Sequence, residues 1–415
     1  MMRHFRFLVL LSFISFLFAL SASAQDATTI FERGRSQYAN KQYDAAIATF
    51  KEYLTKVPND PAAYYNIGLA YYNLERYDQA VSPLTDAIRY KADDARYHYY
   101  LAGSYYELER YDESVASYKE AIRLKPDYVD AYIYLGNALD YLKRYNEAIA
   151  AYVKAIEIDP KNAHAYYELA VAHFTQKNYA AAAEADEKAI GLDPQYKAAF
   201  NNLGNAYEKL NRKDDAITMY QKSIKIDKDY ERAHANLAFL LNDLKRYDEA
   251  GTEFREVIRI NPKAYRAHTE LGYIYDRNKQ RNEAMAEFNE AIKIQPDYAS
   301  AHLGLGNVYY NTDRFAESIS SYKRAADLDP QWLTAHLYLG DAYFATKQYD
   351  MALAAYNSAV GIDPKSAEAV NGLGLVYIAQ NNLPLARKQY DALLPLNRDM
   401  ADKLLAKIDA APKNP

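Results

Sequence analysis

The chain has 415 residues, with 50 Lys+Arg against 55 Asp+Glu, a formal net charge of −5, and the two signs interspersed along its length. Lacking a basic stripe to neutralise phosphates, it does not read as a nucleic-acid binder. Its complete lack of cysteine excludes disulfides, thiol catalysis and thiolate-held zinc. The compositional anomaly is aromatic, with 43 tyrosines beside a single tryptophan, Trp332.

In chain order, the first element is MMRHFRFLVLLSFISFLFALSASAQD. Arg3 and Arg6 form a positive start, Phe7 to Leu20 an apolar stretch, and Ala22-Ser23-Ala24 a small-residue cleavage site. That layout predicts a secretory leader over residues 1–24, cut after Ala24, and hence an exported chain, periplasmic or secreted. Cleavage removes two arginines and takes the net charge from −5 to −7. No later stretch approaches the ~20 apolar residues that span a bilayer, so no membrane span is expected after cleavage.

From Ala27 the sequence is periodic. ERYDQA, ERYDES, KRYNEA and KRYDEA recur, as do KPDY, DPQY, QPDY and DPQW, and they align with a period of 34 residues without insertion. Positions are counted from 1 at Ala27, Pro61, Ala95 and so on. Position 8 is Gly or Ala throughout, from Gly34 and Gly68 to Gly340 and Gly374, and position 20 is Ala or Ser, from Ala46 to Ala386. Such residues let two helices approach closely. Position 32 is proline in eight repeats, ending a second helix. Each unit therefore reads as helix, short turn, helix, turn.

These residues carry a resemblance. With an aromatic at position 4, Leu-Gly at 7 and 8, Tyr at 11, Ala at 20, an aromatic at 24, Ala at 27 and Pro at 32, the chain resembles the tetratricopeptide repeat (TPR) family. The likeness spans eleven copies, at 27–60, 61–94, 95–128, 129–162, 163–196, 197–230, 231–264, 265–298, 299–332, 333–366 and 367–400. It implies an all-α α-solenoid, a right-handed superhelix of antiparallel helix pairs with a concave groove. The ends suit a solenoid. Arg33 stands where later repeats have a core Leu or Ile, and residues 401–415 supply a C-terminal capping helix and tail, with Met400, Leu404, Leu405 and Ile408 on one face.

Repeat position then sorts the tyrosines. Those at positions 4, 11, 17 and 24, such as Tyr64, Tyr71 and Tyr77, are expected in the core, each with a polar tip that can reach the edge. Tyr128, Tyr196, Tyr230, Tyr298 and Trp332, at position 34, are expected to lock the joints between repeats. By the resemblance, positions 5, 9, 12 and 13 line the groove. They hold Tyr65, Leu69, Tyr72, Tyr99, Tyr106, Ile133, Tyr141, Tyr167 and Phe174 in repeats 2 to 5, and mostly polar residues in repeats 6 to 8. An exposed apolar stripe of this kind marks a partner site. Asn205, Asn236 and Arg266 complete the expected groove. These three match part of the carboxylate clamp of some TPR proteins, but Asn201 and Glu270 replace its remaining basic residues and put the clamp in doubt.

Two further patterns invite chemistry. His98, His234, His268, His302 and His336 all occupy position 4. Packed helices stand ~8–10 Å apart, too far for ligands that must each come within ~2.1 Å of one zinc, so they read as core substitutes. In repeat 5, Asp186 takes the aromatic position 24 and His173 the tyrosine position 11, and hydroxyl bonds from Tyr166 and Tyr179 are expected to satisfy them. This marks repeat 5 as locally weakened, a hinge candidate. No phosphate loop, H-E-x-x-H pair or nucleophile elbow is present, so neither catalysis nor a cofactor is expected. The expected function is an exported scaffold that holds a protein or peptide partner of the cell envelope in its groove. A glycan-handling role is the alternative, since tyrosine faces stack on sugar rings.

Overall fold

A computed structural model describes residues 25–411, and the leader expected over 1–24 lies outside them. Every regular element among the described residues is an α-helix. The helices divide into two compact units at Ile226–Asp227. In the first, α1 covers 25–39. It is followed by α2 (Tyr43–Lys56), α3 (Pro61–Asn73), α4 (Tyr77–Tyr90), α5 (Ala95–Glu107) and α6 (Tyr111–Leu124). Then come α7 (Val129–Tyr141), α8 (Tyr145–Ile158), α9 (Ala163–Thr175), α10 (Tyr179–Leu192), α11 (Lys197–Lys209) and α12 (Lys213–Ile226).

The second unit holds α13 (Glu231–Asp243), α14 (Tyr247–Ile260), α15 (Tyr265–Arg277), α16 (Arg281–Ile294), α17 (Ala299–Tyr310) and α18 (Phe315–Leu328). It ends with α19 (Leu333–Ala345), α20 (Tyr349–Ile362), α21 (Ala367–Ala379), α22 (Leu383–Leu393) and α23 (Arg398–Ala410). Within each unit, every helix packs on its neighbours in sequence.

The helix boundaries follow from local chemistry. Asp60, Asp94, Asn162 and Ser366, all at position 34, cap the next helix by accepting backbone N–H bonds from Ala62, Arg96, Ala165 and Ala369. Where position 34 is aromatic or Ala264, the side chain makes no cap. The first helix of each repeat ends in a Schellman turn. In repeat 4, the Lys143 N–H donates to the Asp140 carbonyl at 2.8 Å and the Arg144 N–H to the Leu139 carbonyl at 2.8 Å. The turn residue, position 15, is left-handed in all eleven repeats at φ 57–62°, and none is glycine.

The core is one recurrent contact. The position-24 ring lies flat on the position-8 residue of the partner helix. A Cβ added to Gly136 would sit 2.4 Å from the Tyr152 ring, and one on Gly204 would sit 2.5 Å from Tyr220. Tyr118, Tyr152, Tyr220, Phe50, Phe254 and Phe288 are accordingly the largest fully enclosed side chains. At the C-terminal end, Leu404 of α23 takes this place, 2.6 Å from a Cβ built on Gly374. That helix opens at Arg398, before the expected 401, because Asn397 caps it through the Met400 N–H. Leu404 and Ile408 are buried as expected. At the N-terminal end, Arg33 stays in solvent and pairs with Glu52.

Two stability effects of opposite sign follow. Gly136→Ala drives a methyl into the Tyr152 ring and is expected to cost ~1–3 kcal/mol. Lys143→Gly relieves a left-handed lysine and is expected to add about 1 kcal/mol. Urea midpoints of the two variants against the parent chain measure both, and shifts of the same sign would refute this reading of the core and turn.

Candidate functional site

The tyrosines of repeats 2 to 5 do not divide as repeat position suggested. Tyr64, expected in the core, sits near the surface, donates its hydroxyl to the Pro58 carbonyl at 3.1 Å and stacks on exposed Tyr90 at 5.5 Å. Among the position-11 tyrosines, Tyr207 and Tyr343 are buried as expected, whereas Tyr105 is only half-buried. Position-16 arginines cover two of these rings, Arg110 over Tyr105 at 4.5 Å and Arg212 over Tyr207 at 3.9 Å. Conversely, the expected groove residues Tyr65, Tyr72, Tyr99 and Tyr106 are half-buried, and burial raises each phenol above its ordinary range. Leu69, Tyr167 and Phe174 are half-buried as well. Ile133 is a correction: it is 1% exposed within the core of repeats 3 to 5 and offers no surface to a partner.

What assembles is a continuous array of rings across α3, α5 and α7. Tyr65 meets Tyr97 at 4.8 Å and Tyr100 at 5.8 Å, and Tyr100 in turn meets Tyr72 at 5.5 Å and Tyr99 at 5.2 Å. Tyr99 continues to Tyr134 at 6.1 Å and stacks on Tyr128 at 4.8 Å. The expected joint residue and the expected groove residue are thus one stack, and Tyr167 with Tyr196, at 5.0 Å, repeats it. A smaller group joins Tyr106, Tyr111 and Tyr141, with Tyr111 and Tyr141 stacked at 4.7 Å. Tyr134 and Tyr141 are the outward rings, 37% and 61% exposed. The position-6 rings Tyr100 and Tyr134 were missed because positions 5, 9, 12 and 13 alone were assigned to the face. Their signal was the recurrence of Tyr at position 6.

The polar residues of the same face are tied to the core. In repeats 4, 6, 9 and 10 the hydroxyl of the position-24 tyrosine passes between the helices and donates to the position-9 side chain of its own repeat. The bonds are Tyr152 to Asn137 at 2.7 Å, Tyr220 to Asn205 at 2.8 Å, Tyr322 to Asn307 at 2.8 Å and Tyr356 to Asp341 at 2.6 Å. Tyr152 also bonds Asp140 at 2.9 Å, and Tyr220 bonds Glu208 at 3.2 Å. Asn205, expected to hold a partner, therefore holds Tyr220. In repeats 7 and 8, where position 24 is phenylalanine, position 9 is aromatic: Phe239 meets Phe254 at 5.2 Å and Tyr273 meets Phe288 at 5.0 Å. In the second unit Asn236 is half-buried and Arg266 is exposed.

Acids on this face are crowded. Glu168 rises to about 7, mainly through burial and secondarily through Asp140. In the second unit, Asp276, Asn307, Tyr310, Asn311, Tyr338 and Asp341 line a polar cavity of about 300 Å³. Arg281 pairs with Asp276 there, and burial raises the Asp341 carboxyl although the Tyr356 hydroxyl bond opposes the rise.

The histidine row is structural. The Nε2 atoms of His98, His234, His268, His302 and His336 each lie 2.9–3.3 Å from the carbonyl six residues earlier, closing the inter-repeat turn. Tyr64 makes the same bond with its hydroxyl. Buried His234 and His268 also bond Glu253 and Glu287 at 2.6 Å. Burial alone would lower these two imidazoles, but the carboxylates and carbonyls outweigh it and raise them.

Repeat 5 departs from expectation. Tyr166 and Tyr179 do not satisfy its polar core: Asp186 Oδ1 and His173 Nδ1 are enclosed without hydrogen-bond partners. Asp186 is 1% exposed among the alanines of α10, and burial raises its carboxyl to about 9. A carboxyl is too short to reach where the tyrosine tip would end.

Comparisons with known proteins agree with this architecture. Tetratricopeptide repeat models match residues 37–102, 163–196, 198–230, 231–263, 303–367 and 345–408. A further TPR repeat model matches 102–140, 141–177 and 277–313. Among solved structures, the chain is similar to YrrB, described as a TPR protein with an unusual peptide-binding site. Identity there is 27% over 44% of this chain and 95% of that one, with a TM-score of 0.38. It is similar to MamA at 27% identity, covering 39% of this chain and 95% of that one, with a TM-score of 0.37. It is also similar to PilF of Pseudomonas aeruginosa at 20% identity, covering 50% and 94%, with a TM-score of 0.45. No curated protein matches the chain.

The buried acid of repeat 5 makes stability depend on pH. In the unfolded chain Asp186 ionises near 3.9, whereas folded it keeps its proton to about 9. Between those values the folded state binds the extra proton, so its contribution is greatest below pH ~4 and is lost as pH rises through about 9. Asp186→Asn is expected to flatten the fall in urea midpoint between pH 5 and pH 8. Equal slopes for parent and variant would show that Asp186 is ionised in the fold.

Proposed function

Because the chain belongs to the tetratricopeptide repeat family, we propose that it is an interaction scaffold acting outside the cytoplasm, which takes a partner peptide or helix on the tyrosine face of α3, α5 and α7. Members of this family generally serve as non-catalytic scaffolds. No helix among the described residues is long and apolar enough to cross a membrane. The observation that carries the reading is the ring array ending in exposed Tyr134, together with the smaller Tyr106–Tyr111 group that ends in exposed Tyr141. Its inner rings are immobilised by one another, so little rotamer freedom is lost on binding, and tyrosine supplies broad contact with a polar tip. Export rests on the leader-like N-terminus. Mass spectrometry of the protein from cell-envelope extracts tests it: a mature chain starting at Gln25 is expected, and retention of Met1 would count against export.

A glycan reading draws on a different observation. The cavity formed by Asp276, Asn307, Asn311 and Asp341, walled by Tyr310 and Tyr338, presents carboxylates and carboxamides beside ring faces, the chemistry that holds a sugar. Tyr338→Ala separates the two readings, since it would abolish saccharide binding and leave peptide capture alone.

The scaffold reading is tested with Tyr134→Ala combined with Tyr141→Ala. Both rings reach solvent but pack on neighbouring rings, so the helical melt is expected to keep its shape with a loss of no more than about 2 kcal/mol. Crosslinked recovery of the partner from envelope extract is expected to fall about tenfold or more, as aromatic anchors do on truncation. Undiminished recovery would overturn the reading.

A further inference from the structure

Position 34 does one of two jobs along most of the chain. Asp60, Asp94, Asn162 and Ser366 cap a helix there. Tyr128 and Tyr196 instead lay a ring on the position-5 tyrosine of their own repeat, at 4.8 and 5.0 Å. Repeat 7 does neither. Its position 34 is Ala264, which makes no cap, and its position 5 is Ala235. Among the eleven repeats, only this one has both positions reduced to alanine. The space that two rings fill in repeats 3 and 5 is left open as a cavity of about 260 Å³, lying wholly within the second unit.

Its walls are mainly apolar: Phe239, Phe254, Val257 and Tyr265 surround the two alanines. Phe239 is 39% exposed, and it meets Phe254 edge-on at 5.2 Å, leaving its other side to the opening. The rim is charged. Lys263 and Arg266 are exposed at the mouth, and neither makes an ion pair among the described residues. The one acid there, Glu231, accepts a hydrogen bond from Asn261 Nδ2 at 3.0 Å.

We infer that this cavity receives the aromatic side chain of a partner segment, with an acidic neighbour of that side chain held by Lys263 and Arg266. The inference rests on the scaffold reading above and places a second anchor point in the other unit. The chain itself shows the fit, because a ring already occupies the equivalent space in two repeats. An aromatic side chain entering here completes the row of ring contacts that repeat 7 lacks. A carboxylate beside it meets two cations without burying a charge.

The test uses the full chain with methyl-labelled alanine and valine, observed by NMR. The probes are the blocked peptides acetyl-Gly-Phe-Asp-Gly-amide, acetyl-Gly-Phe-Lys-Gly-amide and acetyl-Gly-Ala-Asp-Gly-amide, each titrated to ~10 mM, a range that covers single-anchor affinities. Saturable shifts of the Ala235, Val257 and Ala264 methyls are expected with the first peptide, about tenfold weaker with the other two. Ala264→Tyr restores the residue type found at Tyr128, Tyr196, Tyr230 and Tyr298 and so should plug the site. It is expected to abolish the shifts while keeping the helical melt. Arg266→Glu is expected to favour the Lys peptide instead. Shifts that survive in Ala264→Tyr, equal shifts from all three peptides, or no shifts at all would each overturn the inference. Binding of the Phe-Asp peptide in the Tyr134, Tyr141 double variant keeps this outcome separate from that of the tyrosine face.

Discussion

The structure depends on how close two helices can come when one of them presents no side chain. A ring at position 24 needs a flat floor, and the backbone of a glycine at position 8 provides it. In the second unit the constraint is two-sided. Phe288 lies 2.8 Å from a Cβ built on Gly272 and 2.3 Å from one on Gly304, the latter from the next repeat. Tyr356 sits the same way between Gly340 and Gly372, at 2.6 and 2.5 Å. One side chain thus binds its own helix pair and the following one. That contact is local in sequence and repeated, which is how a solenoid accumulates stability without a central core.

This core contact also sets the chemistry of the outward face. A tyrosine ring pressed against bare backbone places its hydroxyl at the far side of the helix pair, where position 9 must supply an acceptor. Asn137, Asn205, Asn307 and Asp341 do so. Phenylalanine carries no such demand, and in repeats 7 and 8 the neighbour is Phe239 or Tyr273. The alternation of polar and aromatic patches along the face is therefore partly a consequence of core identity, and a residue such as Asn205 is structural before it is available to any partner. Asp186 shows the opposite case. Substituting a short acid for the ring loses the floor contact and leaves a carboxyl oxygen without a donor.

Tyrosine is abundant because it can serve all these places. Buried at position 24, it packs and bonds; at position 4, Tyr64 closes a turn as the histidines do; at position 11, it takes an arginine on its face. On α3, α5 and α7 the remaining rings fill the face itself. Ring-on-ring contact holds Tyr65, Tyr72 and Tyr99 in place, and burial keeps their phenols protonated. Only Tyr134 and Tyr141 stand well out from this surface. Preorganised aromatic area with a few outward rings is a binding arrangement that loses little entropy when engaged.

The sequence by itself determined the helices, their 34-residue spacing, the family and the core at positions 8 and 24. All of these are periodic, and periodicity reports which face of a helix is shielded. It could not determine depth. Whether Tyr65 or Tyr64 is the more enclosed depends on the side chains arriving from the next repeat, Tyr97 and Tyr100 in this case, and on ring orientation that no spacing encodes. Ile133 looked exposed for the same reason and is core. Hydrogen-bond partners were equally out of reach. Tyr166 was the natural donor to Asp186 by register, yet Asp186 Oδ1 receives no hydrogen bond, an Asp being shorter than the ring it replaces. The opening beside Ala235 and Ala264 was written in the sequence as two small residues. That they face one another across a single space, with two cations at its mouth, was decided by packing.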